Sequence, residues 1–169
     1  MVNTRAFERV AGYLKDGRIV LGGATDAKER YIEPTLIADA NPESPVMQEE
    51  IFGPILPMIT FEEREEAVQF INSREKPLAL YYFGKVKDGE EVLRHTSSGG
   101  ACINDTIMHI ANENIPFGGV GNSGMGSYHG KRSFDAFSHQ RSVVTTTTLL
   151  DLPFRYMPYR MWNLVKKIL

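Results

Sequence analysis

The order of apolar runs in the middle of the chain constrains the fold more than any other feature. Short apolar stretches at residues 55–61, 78–83 and 100–104 alternate with two helical patterns, an acidic one over 62–74 and another over 88–95. Strand, helix, strand, helix, strand is the signature of a parallel sheet, because each return to the same sheet needs a crossover long enough to hold a helix. Both faces of such a sheet are covered, so its strands read as continuous apolar runs. The expected class is α/β, a parallel sheet with flanking helices, with Ala67, Phe70 and Ile71 turned inward from the acidic helix. Ligands of such sheets sit beyond the carboxyl ends of the strands. Residues 105–126 leave the third strand at that end.

That departing segment contains IPFGGVGNSGMG at residues 115–126, with five of the fifteen glycines in the chain. Glycine at this density is kept where the backbone needs positive φ or must let a ligand or another backbone come close. Gly119, Gly121 and Gly124 match the spacing of a dinucleotide-phosphate turn. Such a turn follows an apolar strand, opens a helix and is trailed by an acid about twenty residues later. Here Pro116, Phe117 and Gly118 precede the glycines, and residues 143–148 hold no acid. A shaped coil lining a pocket fits better, with Phe117 as its large apolar side chain.

Composition removes several classes of function. A net charge of -2 and a pI near 6.1 leave no basic field for nucleic acid. The single cysteine, Cys102, excludes an intramolecular disulfide framework and a multi-cysteine metal site, and points to a reducing compartment. His95, His109, His129 and His139 show no i, i+4 pair with an intervening glutamate, so no metal is expected. No secretory pattern opens the chain, and no stretch has the length of a membrane span.

The remaining elements follow from local pattern. Asn3 is placed to cap a helix in which Phe7, Val10, Ala11 and Leu14 fall on one face, ending near Gly17. Residues 18–22 and 31–38 read as strands around a polar loop, a hairpin-like excursion, with Pro34 making the second an edge or interrupted strand. Residues 129–139 read as a short helix burying Phe134 and Phe137. Residues 142–149 are β-branched and read as a strand without a sequential neighbour, which seeks an edge elsewhere.

Glu49-Glu50-Ile51-Phe52-Gly53-Pro54 places an acid and an aromatic two apart before a turn. On extended backbone both point the same way, and a carboxylate beside a ring suits a vicinal diol such as a ribose. A solvated turn with a core phenylalanine is the plainer reading of the same spacing.

PVMQEEIFGPILP, INSREKPLALYYFGK, TSSGGACINDTIMHI and PFGGVGNSGMGSYHGKRSFDAFSHQRSVV, taken together and in this order, resemble the aldehyde dehydrogenase superfamily, nearest its class 3 and fatty-aldehyde branch. The resemblance runs from about residue 1 to 155 and covers the final third or so of a family enzyme. It implies the later part of a catalytic domain over residues 1–139, an oligomerisation strand over 140–150 and a tail over 151–169.

The resemblance also implies chemistry. Family enzymes oxidise aldehydes to acids with NAD or NADP through a cysteine thiolate and a water-activating glutamate. Glu50 matches the glutamate that binds the nicotinamide ribose, and Phe52 the aromatic beside it. Phe117, with Ile107 and His129, matches the lining of the aldehyde entrance. The Gly-Gln-x-Cys and Glu-Leu-Gly-Gly-like segments that carry nucleophile and base do not occur in this sequence, and Cys102 reads as a small buried filler. No catalytic residue is therefore expected, and the chain alone is expected to be inactive. The alternative is a non-catalytic module whose strand docks on full-length subunits. Expected partners are an aldehyde substrate and a homodimer mate or full-length homologue, in the cytoplasm.

From Leu152 the sequence carries Arg155, Arg160, Lys166 and Lys167 with no acid, interleaved with Phe154, Tyr156, Tyr159 and Trp162. Met157, Met161, Leu164, Val165 and Ile168 fall on one helical face. Such a tail suits a helix lying in a membrane interface, here at the cytoplasmic face, or docking on the enzyme's own body. The ending Lys167-Ile168-Leu169 has no prenylation cysteine, and a spanning helix would need residues beyond Leu169.

Overall fold

The structure, a computed structural model, describes residues 1–149, 156–158 and 162–167. Its first helix, α1 (Thr4–Gly12), starts where Asn3 accepts a hydrogen bond from the Ala6 amide through Oδ1 at 2.8 Å. A 3-10 turn (Tyr13–Lys15) continues it towards Gly17. The face of Phe7, Val10 and Tyr13 is buried. That face packs on Ile32, Ile37, Ala40, Val46 and Ile55, which together form the core of this half of the chain. Val10 and Ile37 are the two large side chains of the described residues that are sealed from solvent, each contributing roughly 1.5–3 kcal/mol by burial.

The excursion after α1 builds two small sheets. β1 (Arg18–Leu21) runs antiparallel to β4 (Thr35–Ala38), and β2 (Thr25–Asp26) pairs with β3 (Tyr31–Ile32) in the loop between them. Glu33 and Pro34 interrupt the second run, as the proline predicts. β4 nevertheless lies in the middle of its sheet, because β5 (Ile55–Met58) pairs with it in parallel on the other side. The one buried polar side chain of the described residues, Thr35, is satisfied twice. Its hydroxyl donates to the Glu33 carbonyl at 2.7 Å and accepts from the Gly23 amide at 2.9 Å.

The later elements are α2 (Pro45–Gln48), α3 (Arg64–Asn72), β6 (Ala79–Tyr82), α4 (Val86–His95), β7 (Gly100–Ile103), α5 (Met108–Ala111) and α6 (Gly130–Ala136). β6 and β7 form a parallel pair in register Ala79↔Gly100 to Tyr82↔Ile103. The chain is thus α/β with parallel ladders joined by helices, but the three central strands do not share one sheet. Among the described residues β5 pairs with β4, and β6 with β7. Order along the chain sets which crossovers exist, whereas strand neighbours are chosen by which edges are free. One edge of β5 is taken by a strand from the earlier excursion.

Two further expectations are corrected. Ala67, Phe70 and Ile71 of α3 are only half-buried. Phe134 and Phe137 are 72% and 94% exposed, and α6 half-buries Ser133 and Asp135 instead, the Ser133 hydroxyl accepting from the His129 amide at 2.8 Å. Residues 141–147 have no ladder partner among the described residues, and Val143 and Val144 stand 72% and 88% exposed.

The expected basic tail lies partly outside the described residues. Within them a helical turn, α7 (Trp162–Val165), carries the Lys166 ammonium 5.7 Å from the Trp162 ring centroid. Tyr156, Met157 and Pro158 form bends, so the stripe from Met157 onward is not one helix, consistent with a proline that cannot donate within it. No helix among the described residues is long and apolar enough to cross a membrane.

Candidate functional site

Arg9 hydrogen-bonds the EIFGP segment to α1. Arg9, in the last turn of that helix, donates to the Glu50 carbonyl at 3.1 Å and the Ile51 carbonyl at 2.9 Å. Its guanidinium also donates to the Tyr13 hydroxyl, lies 5.4 Å from the Tyr13 ring centroid and pairs with Glu49 at 3.6 Å. Tyr13 in turn donates to Glu49 Oε2 at 2.8 Å. Burial, reinforced by that bond to a carboxylate, pushes the Tyr13 hydroxyl above its ordinary value of 10.0, with Arg9 opposing. At neutral pH the hydroxyl therefore stays a donor.

The consequence is a division of labour between two adjacent acids. Glu49 is engaged by Arg9 and Tyr13, while the Glu50 carboxylate is exposed and makes no hydrogen bond or ion pair with any described residue. Ile51 turns back onto the core, and Phe52 emerges 78% exposed with φ of 46°. The backbone is not extended at Phe52, contrary to the simple two-apart argument. Glu50 and Phe52 are both exposed because Ile51 between them belongs to the core. Gly53 makes the close approach possible, since a Cβ there would fall 2.7 Å from Val10 Cγ1.

The second group of predicted residues collects after β7. Ile107, 60% exposed, sits in the left-handed region with φ of 65° at the start of α5. Phe117 is half-buried and forms a two-bond antiparallel bridge with Tyr128, N to O at 3.0 and 2.9 Å. Its ring meets those of Tyr128 at 5.7 Å, His129 at 6.2 Å and His109 at 5.7 Å. His129 itself has φ of 77°, and its buried Nδ1 has no hydrogen-bond partner among the described residues.

The glycine loop closes on its own backbone. A Cβ on Gly119 would lie 2.0 Å from the Ser123 carbonyl oxygen, so what passes near this loop is the loop itself. It contains only a 3-10 turn (Gly121–Ser123) and opens no helix, in keeping with the rejection of a phosphate-binding turn.

The structure therefore brings Phe117 and His129 together, places Ile107 two residues from His109, and pairs Glu50 with Phe52 on one exposed turn. No hydrogen bond, ion pair or ring contact of the described residues joins the two groups. Arg9, Tyr13, Glu49 and His109 were not singled out from sequence as site residues. Arg9 and Tyr13 are spaced i, i+4 on one helix, a signal available in retrospect. His109 had none.

The sequence matches the family described as "Aldehyde dehydrogenase family" over residues 1–143. The chain belongs to the aldehyde dehydrogenase family. Among its relatives is "Aldehyde dehydrogenase, dimeric NADP-preferring" of Rattus norvegicus, 52% identical over 88% of this chain and 33% of that protein. Among solved structures, one described as the substrate-bound state of Staphylococcus aureus AldH superposes with a TM-score of 0.84 at 45% identity, covering 99% of this chain and 38% of that one. A Mycobacterium tuberculosis aldehyde dehydrogenase complexed with NAD+ gives 0.76 at 29% identity, over 88% and 32%. The chain thus spans well under half the length of these aldehyde dehydrogenases.

Proposed function

We propose that this chain is part of an NAD(P)-dependent dehydrogenase that oxidises medium- to long-chain or aromatic aldehydes to carboxylic acids. In this reading it supplies two binding walls and none of the reacting groups. The observation that carries the reading is the Glu49–Glu50 division, in which one carboxylate is used by the fold and the next is left free beside an exposed ring.

A free carboxylate next to an apolar ring fits the nicotinamide ribose. Glu50 would accept hydrogen bonds from the vicinal hydroxyls, and Phe52 would pack beside them. The cofactor, NAD or NADP, supplies the hydride acceptor when bound. Phe117, Ile107 and His129 line the aldehyde entrance, where an apolar ring and an exposed isoleucine side chain suit an extended or aromatic aldehyde. Nucleophile and general base lie outside these 169 residues. Cys102 stays a strand residue, half-buried against His109 at 3.5 Å.

The test uses the chain alone and a chimera in which it replaces the matching segment of the rat NADP-preferring relative. NAD(P)H formation from aldehydes is expected from the chimera and not from the chain alone. Turnover by the chain alone, abolished by Cys102→Ala, would contradict the assignment of the reacting groups.

A second reading rests on residues 142–148, whose exposed Val143 and Val144 have no strand partner among the described residues. A docking module would pair that stretch with an edge on a full-length subunit in the cytoplasm. Co-elution of the chain with a full-length relative supports this, and separate elution of both folded species opposes it. Pelleting with anionic vesicles that is lost on truncation at Asp151 would assign the tail to a membrane surface.

A further inference from the structure

His109 occupies the junction between the β6–β7 pair and the proposed aldehyde entrance. On the sheet side its ring meets Tyr81 edge-on at 5.7 Å, and its Nδ1 lies 3.5 Å from Cys102 Sγ. On the loop side it meets Phe117 at 5.7 Å and an interplanar angle of 52°. Room for the imidazole comes from Gly100, where a Cβ would fall 2.4 Å from His109 Cδ2. Strand β6, strand β7 and the loop after α5 thus meet at one ring.

The same residue follows Ile107 by two positions. The left-handed Ile107 caps α5, and its carbonyl accepts from the Ile110 amide at 2.8 Å, which ties it to the turn that carries His109. The His109 ring thus contacts Phe117 directly and is joined to Ile107 through one helical turn.

Its buried Nε2 has no hydrogen-bond partner among the described residues. A buried ring nitrogen left unmatched lowers stability relative to a matched or apolar group. Tyr81 and Phe117 offer aromatic faces to the ring and Gly100 offers space, so its contacts apart from Nδ1–Cys102 are those of a planar ring of this size.

We propose that His109 is a positioning residue for aldehyde specificity, fixing Phe117 relative to Ile107 and so setting the width of the entrance. This rests on the assignment of Phe117 and Ile107 to that entrance. The experiment is chosen to separate the two ideas, because its first readout is geometric and needs no activity.

Side-chain NMR of the full 169-residue chain would follow the Phe117 ring and the Ile107 δ1-methyl in wild type, His109→Ala, His109→Phe and Gly100→Ala. Both signals are expected to move in His109→Ala and Gly100→Ala and to return towards wild type in His109→Phe. Should His109→Ala fail to fold, His109→Phe and Gly100→Ala carry the comparison. Unchanged Phe117 and Ile107 signals in Gly100→Ala, with shifts confined to β7, would overturn the proposal. In the chimeric enzyme the ratio of KM for long-chain to short-chain aldehydes should change several-fold in Gly100→Ala, with kcat changing less. Equal loss of kcat for all aldehydes would overturn it as well. Moved NMR signals with no aldehyde selectivity in any variant would instead sink the entrance assignment and leave the packing relay standing.

Discussion

Tyr13 donates its hydroxyl hydrogen to Oε2 of Glu49 at 2.8 Å, so the first of two adjacent glutamates is tied to the 3-10 turn that continues α1, while the second is exposed and unpaired among the described residues. This distinction cannot be made from the letters Glu-Glu, and the functional reading depends on it.

The two glutamates should separate in a stability measurement. Tyr13→Phe removes a hydrogen bond to a charged group and is expected to cost about 1.5–3 kcal/mol. Glu50→Gln, at an exposed unpaired position, should stay within about 0.5 kcal/mol of wild type. Urea denaturation of the three chains checks both. A Glu50→Gln penalty equal to that of Tyr13→Phe would mean that Glu50 also serves the fold.

Alkaline pH should report on Tyr13. Its folded-state value lies above the ordinary 10.0. A raised value means that the folded state holds the proton more tightly, so the stabilisation is fully present below about pH 10 and is lost as pH rises through the folded value. Wild type should lose stability more steeply above that point than Tyr13→Phe does. Identical slopes across the alkaline range would contradict the coupling.

Much of the first half of the fold is legible in the sequence. Asn3, Phe7 and Val10 predict a capped amphipathic helix because cap and periodicity act over one turn, and Pro34 predicts the break between β3 and β4 because it lacks a donor. The grouping of strands is not legible in the same way. β5 joins β4 through a pairing that no local pattern encodes, and Phe134 and Phe137 look buried by periodicity but face outward on α6. Val143 and Val144 likewise announce a strand without naming its partner. In the candidate site, the residue types at Glu50, Phe52 and Phe117 could be read, whereas Arg9 and His109 act across 41 residues and across a sheet edge.

Core packing gives a direct check on the first half. Ile37 is fully buried beneath α1, and Ile37→Ala should cost about 2–5 kcal/mol. Thermal or chemical unfolding measures it. A loss below about 1 kcal/mol would mean that the site collapses around the smaller side chain or that the core is elsewhere.

The glycine loop should not accept a methyl group at Gly119. A Cβ there meets the Ser123 carbonyl oxygen at 2.0 Å, and backbone cannot rotate aside as a side chain does. Gly119→Ala should open the turn and break the 3.0 Å bond from the Val120 amide to the Ser123 hydroxyl. Amide hydrogen exchange at Val120 is the readout, with faster exchange expected and an unchanged rate counting against the self-closing loop.

The most direct test of the account is a cofactor titration on the chimeric dehydrogenase carrying Glu49→Gln or Glu50→Gln. Loss of charged hydrogen bonds to a ribose, each about 1.5–3 kcal/mol, predicts roughly tenfold or greater weakening of NAD(P)+ binding in Glu50→Gln. Glu49→Gln should lower stability while leaving cofactor affinity close to wild type. Weakening by Glu49→Gln alone, with Glu50→Gln binding as wild type, would contradict the claim that the free glutamate is the cofactor's partner.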